Sequence, residues 1–243
     1  MIRAQGLQRS FGDVQAIRNV SFEARDGETT GLLGPNGAGK STTLRILSTL
    51  IRPDDGSACI GGHDVVEDAL AARRTLGTLP HGAGIYPRLS ARENIRYYGA
   101  LQGMDSVSIE ARIDALAEML EMREFIDRRA KGFSQGQKTK VALARAMVHS
   151  PSHLLLDEPT NGLDVMATRS LRELISHLRD DGTCVLFSSH VMQEVAALCD
   201  RIVVIAHGGV VADGTADELR ARTGCEDLED AFVALIGSSE GLA

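Results

Sequence analysis

No apolar run in the 243-residue chain approaches the 18 or so residues needed to cross a bilayer. The opening "MIRAQGLQRSFGD" lacks the apolar core of a secretory signal. Both absences lead to the expectation of a cytoplasmic protein whose role at a membrane, where it has one, runs through a partner. Basic clusters are absent too: 26 Lys and Arg are outnumbered by 33 Asp and Glu, the formal charge is −7, and the basic residues are scattered. A protein that neutralises a phosphate backbone needs a basic face, so no nucleic acid is expected as partner. Cys59, Cys184, Cys199 and Cys225 show no CxxC spacing, and Cys59 and Cys184 sit in apolar strand-like stretches. Buried reduced thiols are expected there rather than metal ligands or disulfides. There is no internal repeat and no low-complexity segment. What the chain does contain, 43% hydrophobic and 24% charged residues, suffices for one large or two small globular domains with a real core.

Short strand-like pieces at residues 20–24 and 57–62 flank one long apolar strand at 29–34. That strand runs into a glycine-rich loop and then a helix over 41–51, which stops before Pro53. Ser90 and Glu93 have capping-box spacing and open a helix with Ile95, Tyr98 and Leu101 on one face. A second helix carries Ile113, Leu116, Met119 and Leu120, so residues 90 to about 125 read as a helical insertion. The α/β pattern then resumes: apolar strands at 153–159 and 182–190 are joined by a helix near 166–178, as a parallel crossover requires. Residues 201–214 read as two strands turning at Gly208 and Gly209. Thr215 and Glu218 form another capping box and start a terminal helical region.

"GPNGAGKS" (34–41) matches GxxxxGK[ST] in full, with a strand before it and a helix after it. Glycines let backbone N–H groups turn around phosphate oxygens, the helix N-terminus adds positive potential, Lys40 reaches the β/γ-phosphates, and Ser41 binds Mg²⁺. This accounts for an odd pair elsewhere. Asp157 and Glu158 stand side by side after Leu154, Leu155 and Leu156, where adjacent carboxylates resist burial unless a cation binds. In P-loop proteins a carboxylate at a second strand end completes the Mg²⁺ shell, and Asp157 is placed for it. Glu158 points to the opposite side if strand geometry continues, where it holds or deprotonates a water attacking the γ-phosphate, or else serves structurally.

These residues resemble the nucleotide-binding subunits of ABC transporters over residues 1 to about 224. "GPNGAGKST" is similar to Walker A, "LLLDEP" to Walker B, "NGLD" to the D-loop and "SSH" to the H-loop. The resemblance implies a P-loop NTPase core with a mainly parallel sheet, an N-terminal antiparallel β subdomain and an inserted helical subdomain. The core would span 1–89 and 151–224, the helical part about 90–150, and a short helical tail 225–243. It implies ATP and Mg²⁺ as ligands. Gly34, Pro35, Asn36, Gly37, Ala38, Gly39, Lys40, Ser41 and Thr42 would hold the phosphates, with Ser41 and Asp157 on the metal. "FSQGQ" (133–137) resembles the LSGGQ signature, with Phe133 for Leu and Gln135 for a Gly. Ser134, Gln135, Gly136 and Gln137 would face the ATP of a second subunit, either a copy of this chain or a related ATPase. The same residues also have capping-box spacing, and both readings are compatible.

By the same resemblance Asp164 reaches across the dimer interface, Glu158 and His190 act with Lys40 in catalysis, and Phe11 stacks on adenine. Exposed Phe beside Gly is also common in turns. His81 stands where the family has a glutamine; it either bridges water and γ-phosphate or makes no such bridge and loosens the Mg²⁺ coordination. The following segment, residues 82–93, would face an integral-membrane permease. The tail "LEDAFVALIGSSEGL" looks like that of sodium-export ATPases, with drug and polysaccharide exporters of the ABC-2 type close by, or it simply packs Leu228, Phe232 and Leu235 on its own domain. The implied function is an ATPase that drives export through a separate permease from the cytoplasmic face. A soluble ATP clamp on DNA or ribosomes is the alternative, disfavoured by the acidic charge and by the 94 residues between Lys40 and Ser134, which leave no room for a long insertion.

Overall fold

A computed structural model describes residues 1–82 and 84–237. Alternating burial governs its first elements. β1 (Ile2–Phe11) and β2 (Val14–Ala24) pair antiparallel, burying Ile2, Ala4, Leu7, Ile17, Val20 and Phe22 on one side. β3 (Thr29–Leu33) is buried at every position, as a strand covered on both faces must be. It leads through the glycine loop into α1 (Lys40–Leu47). This helix is shorter than its sequence implies: Thr49 takes a left-handed φ of 62° and Leu50 is exposed, so the chain turns out before Pro53 can stop it. β4 (Asp55–Ile60) pairs with the free edge of β1, and β5 (His63–Asp64) with β4. α2 (Ala69–Thr75) leads into β6 (Leu76–Leu79).

Three helices follow. α3 (Ala91–Leu101) starts on the Ser90–Glu93 capping box, with both reciprocal bonds formed. Ile95 is buried and Tyr98 half-buried, but Leu101 is 64% exposed at the last turn, so the apolar stripe ends one turn early. α4 (Ser106–Met119) buries Ile109, Ile113 and Leu116, and α5 (Gln135–Met147) buries Val141, Leu143 and Met147. β7 (His153–Asp157), α6 (Val165–Asp180) and β8 (Cys184–Ser189) form the expected crossover. α7 (Met192–Leu198) precedes β9 (Arg201–Ala206) and β10 (Gly209–Gly214), whose turn falls one residue earlier than expected, at His207 and Gly208 with φ of 51° and 77°. α8 (Ala216–Thr223) opens on the Thr215–Glu218 box. In α9 (Leu228–Ile236), Leu228 and Phe232 are buried and Leu235 packs half-buried against the same core. Residues 238–243 of the expected tail, and Ala83 of the expected permease-facing segment, lie outside the described residues.

The ten strands run in the order β5-β4-β1-β2-β10-β9-β3-β8-β7-β6. β9, β3, β8, β7 and β6 are parallel, and the β1, β2, β4 and β5 side is antiparallel. One core lies beneath α3 to α7 and α9, and the other between the N-terminal strands, α1 and β3. Ligands of open α/β sheets bind at the carboxyl ends of the strands. Here those ends gather Gly34 after β3, His81 after β6, Asp157 at the end of β7 and His190 after β8. The cysteines are all free: Cys184 is buried and its thiol pushed up to about 12 by that burial, while Cys59, Cys199 and Cys225 are half-buried.

Candidate functional site

The glycine loop is built for an anion. Gly37 and Gly39 take left-handed φ of 79° and 109°, and a Cβ at Gly39 would stand 2.8 Å from the Ala16 carbonyl oxygen of β2. Gly39 is the N-cap of α1 and supplies no side chain to its first N–H groups, which stay open to an incoming oxyanion. Lys40 is buried and donates to the carbonyls of Gly34 at 2.7 Å and Pro35 at 3.1 Å. Burial pulls its ammonium below the usual lysine range, opposed by the charges of Glu158 and then Asp157.

The adjacent carboxylates divide. Asp157 is buried at the end of β7, where its Oδ1 accepts from Ser188 Oγ at 2.6 Å and Ser41 Oγ at 3.3 Å. Strand geometry does not continue past it. Glu158 takes a left-handed φ of 49°, rare for a residue with a side chain, and its N–H donates to Ser188 Oγ at 3.0 Å. The turn sends its carboxylate to two histidines: His190 Nδ1 is 3.2 Å from Oε1, and His81 Nδ1 is 3.8 Å from Oε2. The two carboxylates go to different partners, as strand alternation would have them do, but a left-handed turn at Glu158 parts them instead.

Hydroxyl and carboxylate oxygens suit a hard cation, and among the described residues no cluster of three or more His, Cys, Asp or Glu is placed to hold a metal alone. That donor set fits Mg²⁺, which favours one carboxylate with water and substrate phosphates over an all-protein cage. Glu158, Asp157, His81 and Gln135 line one cleft of about 850 Å³. Ser41, His81 and Asp157 line a second beside it, so His81 borders both.

Residues 134–137, which resemble the signature, form the N-terminus of α5. Ser134 caps α5, accepting from Gln137 N at 3.2 Å, while Gln137 Oε1 accepts from Ser134 N at 3.1 Å. A Cβ at Gly162 would meet Gln135 Cγ at 3.4 Å, so the side chain that departs from the signature packs against the D-loop. Asp164 caps α6, accepting from Ala167 N at 2.8 Å, and beside it Val165 and Met166 are 84% and 69% exposed. Phe11 is exposed at the end of β1, with the Arg9 guanidinium 5.0 Å from its ring centre.

Two residues of the site escaped sequence reasoning. Ser188 donates to the Asp157 carboxylate and accepts from the backbone N–H of Glu158; only the histidine of "SSH" drew notice, although two hydroxyls ending an apolar strand are a signal in themselves. Glu194 is buried in α7 and accepts from Thr160 Oγ1 at 2.7 Å and Ser189 Oγ at 2.9 Å, tying the loops after β7 and β8 together. An acid between Val191, Val195 and Leu198 on the apolar stripe would have marked it.

A glycine loop between β3 and α1, facing a carboxylate at the end of the parallel strand β7 with β8 between the two strands, defines a P-loop nucleotide-binding protein. The ABC transporter family model matches residues 17–161, and the chain belongs to that family as an ABC-type ATPase. It is 40% identical over 239 residues to the ABC transporter ATP-binding protein NatA of Bacillus subtilis (strain 168), covering 96% of this chain and 97% of that one. It is 38% identical over 244 residues to the doxorubicin resistance ATP-binding protein DrrA of Mycobacterium tuberculosis, covering 96% and 74%. Among solved structures it resembles an ATP-binding subunit of an ABC transporter, with a TM-score of 0.89, 28% identity and coverage of 97% and 99%. A dimeric ATP-binding cassette in a post-hydrolysis state, bound to ADP and Pi, matches with a TM-score of 0.80, 25% identity and coverage of 88% and 98%.

Proposed function

We propose that the chain is the ATP-hydrolysing subunit of an ABC-2-type exporter, acting at the cytoplasmic face of the membrane through a separate permease. Two ATP molecules join two subunits head to tail; binding closes the pair and hydrolysis opens it. The observation that carries this reading is the division of Asp157 and Glu158. One carboxylate is joined to the loop hydroxyl Ser41, and the other turns to His190 and His81. In this reading residues 34–42 bind the phosphates and Lys40 the β/γ oxygens. Ser41 and Asp157 hold Mg²⁺, which supplies charge neutralisation on the phosphates when bound. Glu158 orients or deprotonates the attacking water and His190 serves the γ-phosphate. Phe11, on the hairpin whose second strand passes the loop at Ala16, takes the adenine.

The opposite half of each site comes from the second subunit: Ser134 to Gln137 at the N-terminus of α5, with Asp164 across the interface. The exposed Val165 and Met166 beside Asp164 support burial of this face. The permease side carries all three tyrosines of the chain. Tyr86 meets Tyr97 edge to face at 5.5 Å, Tyr97 meets Tyr98 at 5.7 Å, and Arg145 lies 3.7 Å over Tyr98 while donating to Gly84 O. Aromatic side chains with an arginine suit a protein partner. Residues 1–224 act as the ATPase domain, with 90–150 as its helical part and 225–243 as a tail.

Cargo is chosen by the permease, since nothing in this architecture brings the ATPase to it. Sodium is the cargo favoured by the resemblance; a drug or polysaccharide is the alternative. Glu158→Gln is expected to lower turnover about 10²–10⁴-fold with ATP binding retained and the dimer made persistent. Unchanged turnover would remove Glu158 from its assigned role. ATP-dependent Na⁺ efflux from vesicles holding the copurified permease tests the cargo, and movement of another solute without Na⁺ would overturn sodium.

A further inference from the structure

We propose that His81 is a positioning residue for Glu158, the group that keeps this carboxylate in place after His190 has turned to the phosphate; the inference rests on the reading of Glu158 given above. The ends of two paired strands bring the segments carrying these residues together before any side chain is considered. β6 and β7 pair in parallel up to Leu79 opposite Leu156, so the two segments that leave these strand ends, one carrying His81 and the other Glu158, start side by side. The side chains meet: His81 Nδ1 is 3.8 Å from Glu158 Oε2, on the oxygen that His190 leaves unused.

An ionised carboxylate only accepts, so a ring nitrogen that bonds it must carry the proton. His190 Nδ1 is therefore the N–H of that ring in its contact with Glu158, and a neutral imidazole has no second N–H to offer a phosphate oxygen. Contact with Glu158 and donation to phosphate are alternatives for a neutral His190. When ATP draws His190 away, the left-handed turn at Glu158 would lose the donor that now sits within hydrogen-bond distance of its carboxylate. His81 takes over Oε2 and leaves Oε1 to the attacking water. Its half-exposed ring needs only a small rotation to shorten 3.8 Å to a hydrogen bond. The loop histidine thus acts through the carboxylate rather than through the metal.

Geometry supplies a discriminating substitution. The amide nitrogen of Asn can occupy the position of Nδ1, whereas that of Gln reaches to the position of Nε2. His81→Ala is expected to lower kcat about tenfold, as loss of a hydrogen bond to a charged group does. The ATP KM and the Mg²⁺ concentration for half-maximal activity should stay unchanged. His81→Asn should restore most of kcat, and His81→Gln should not. Rescue by Gln but not Asn, or a shifted Mg²⁺ requirement, would overturn the proposal in favour of a direct role at the nucleotide; full activity of all three variants would overturn it outright. An independent reading comes from the His81 ring ¹⁵N signals of the nucleotide-free protein, which should shift in Glu158→Gln. That measurement stands even if the chain hydrolyses no ATP, so failure of the ATPase reading and failure of the His81 contact are told apart.

Discussion

α1 and α5 both offer a helix N-terminus at a proposed phosphate position, and they are finished in opposite ways. α1 begins on Gly39, left-handed and without a side chain, so its first N–H groups meet no internal acceptor from the cap. α5 begins on Ser134, whose hydroxyl takes the Gln137 N–H while Gln137 closes back on Ser134. The first terminus is ready for an anion in the single chain. The second is satisfied by itself and must give up or share its cap to serve a neighbour's ATP. Under the proposed function this difference would order events: nucleotide would bind first to the glycine loop, and residues 134–137 would engage only when a second subunit brings a phosphate that competes with the cap.

Filling the open terminus should have the largest effect. In Gly39→Ala the new Cβ meets the Ala16 carbonyl at 2.8 Å on a backbone held at φ 109°, a strain of about 1–3 kcal/mol placed inside the phosphate loop. We expect loss of ATP binding in calorimetry while the circular dichroism spectrum is kept; unimpaired binding would show that the loop relaxes freely. Ser134→Asp makes the next test. Asp caps a helix as well as Ser, so melting temperature should hold, but its charge opposes the incoming phosphate. ATP-dependent dimerisation in the Glu158→Gln background should weaken at least about tenfold, the cost of roughly 1.4 kcal/mol of repulsion. A dimer of unchanged affinity would remove Ser134 from the interface.

Local chemistry was legible in the sequence wherever one residue type is forced. The glycine loop, the paired carboxylates and the three capping boxes at Ser90, Ser134 and Thr215 stand where their spacing places them. What depends on backbone turns was not legible. Periodicity does not reveal that Thr49 turns left-handed and shortens α1, nor that Glu158 does so and swings its carboxylate to His190. Contacts across strands were missed for a related reason. Ser188 meets Asp157 through the register of β7 on β8, His81 meets Glu158 where the chain leaves the neighbouring ends of β6 and β7, and one strand does not state its neighbour. Glu194 stands out on the apolar stripe of α7, but its partners Thr160 and Ser189 come from other segments and no spacing along the chain points to them.

The capping boxes provide the smallest and most specific test of the contrast between the two termini. Thr215 and Glu218 at α8 make the same reciprocal pair as Ser134 and Gln137, with Thr215 Oγ1 accepting from Glu218 N at 3.2 Å. Ser134 Oγ accepts from Gln137 N at the same 3.2 Å. As caps the two are equivalent, and removing either hydroxyl should cost about 1 kcal/mol of stability. If Ser134 were only a cap, Ser134→Ala and Thr215→Ala would lower the denaturant midpoint alike and leave ATP-driven dimerisation alike. We expect the midpoints to fall together and the dimer affinities to part, with Thr215→Ala at the wild-type value and Ser134→Ala weaker. Equal affinities in the two variants would reduce the signature serine to its structural task and leave Gly136 as the group offered to the neighbour's phosphate.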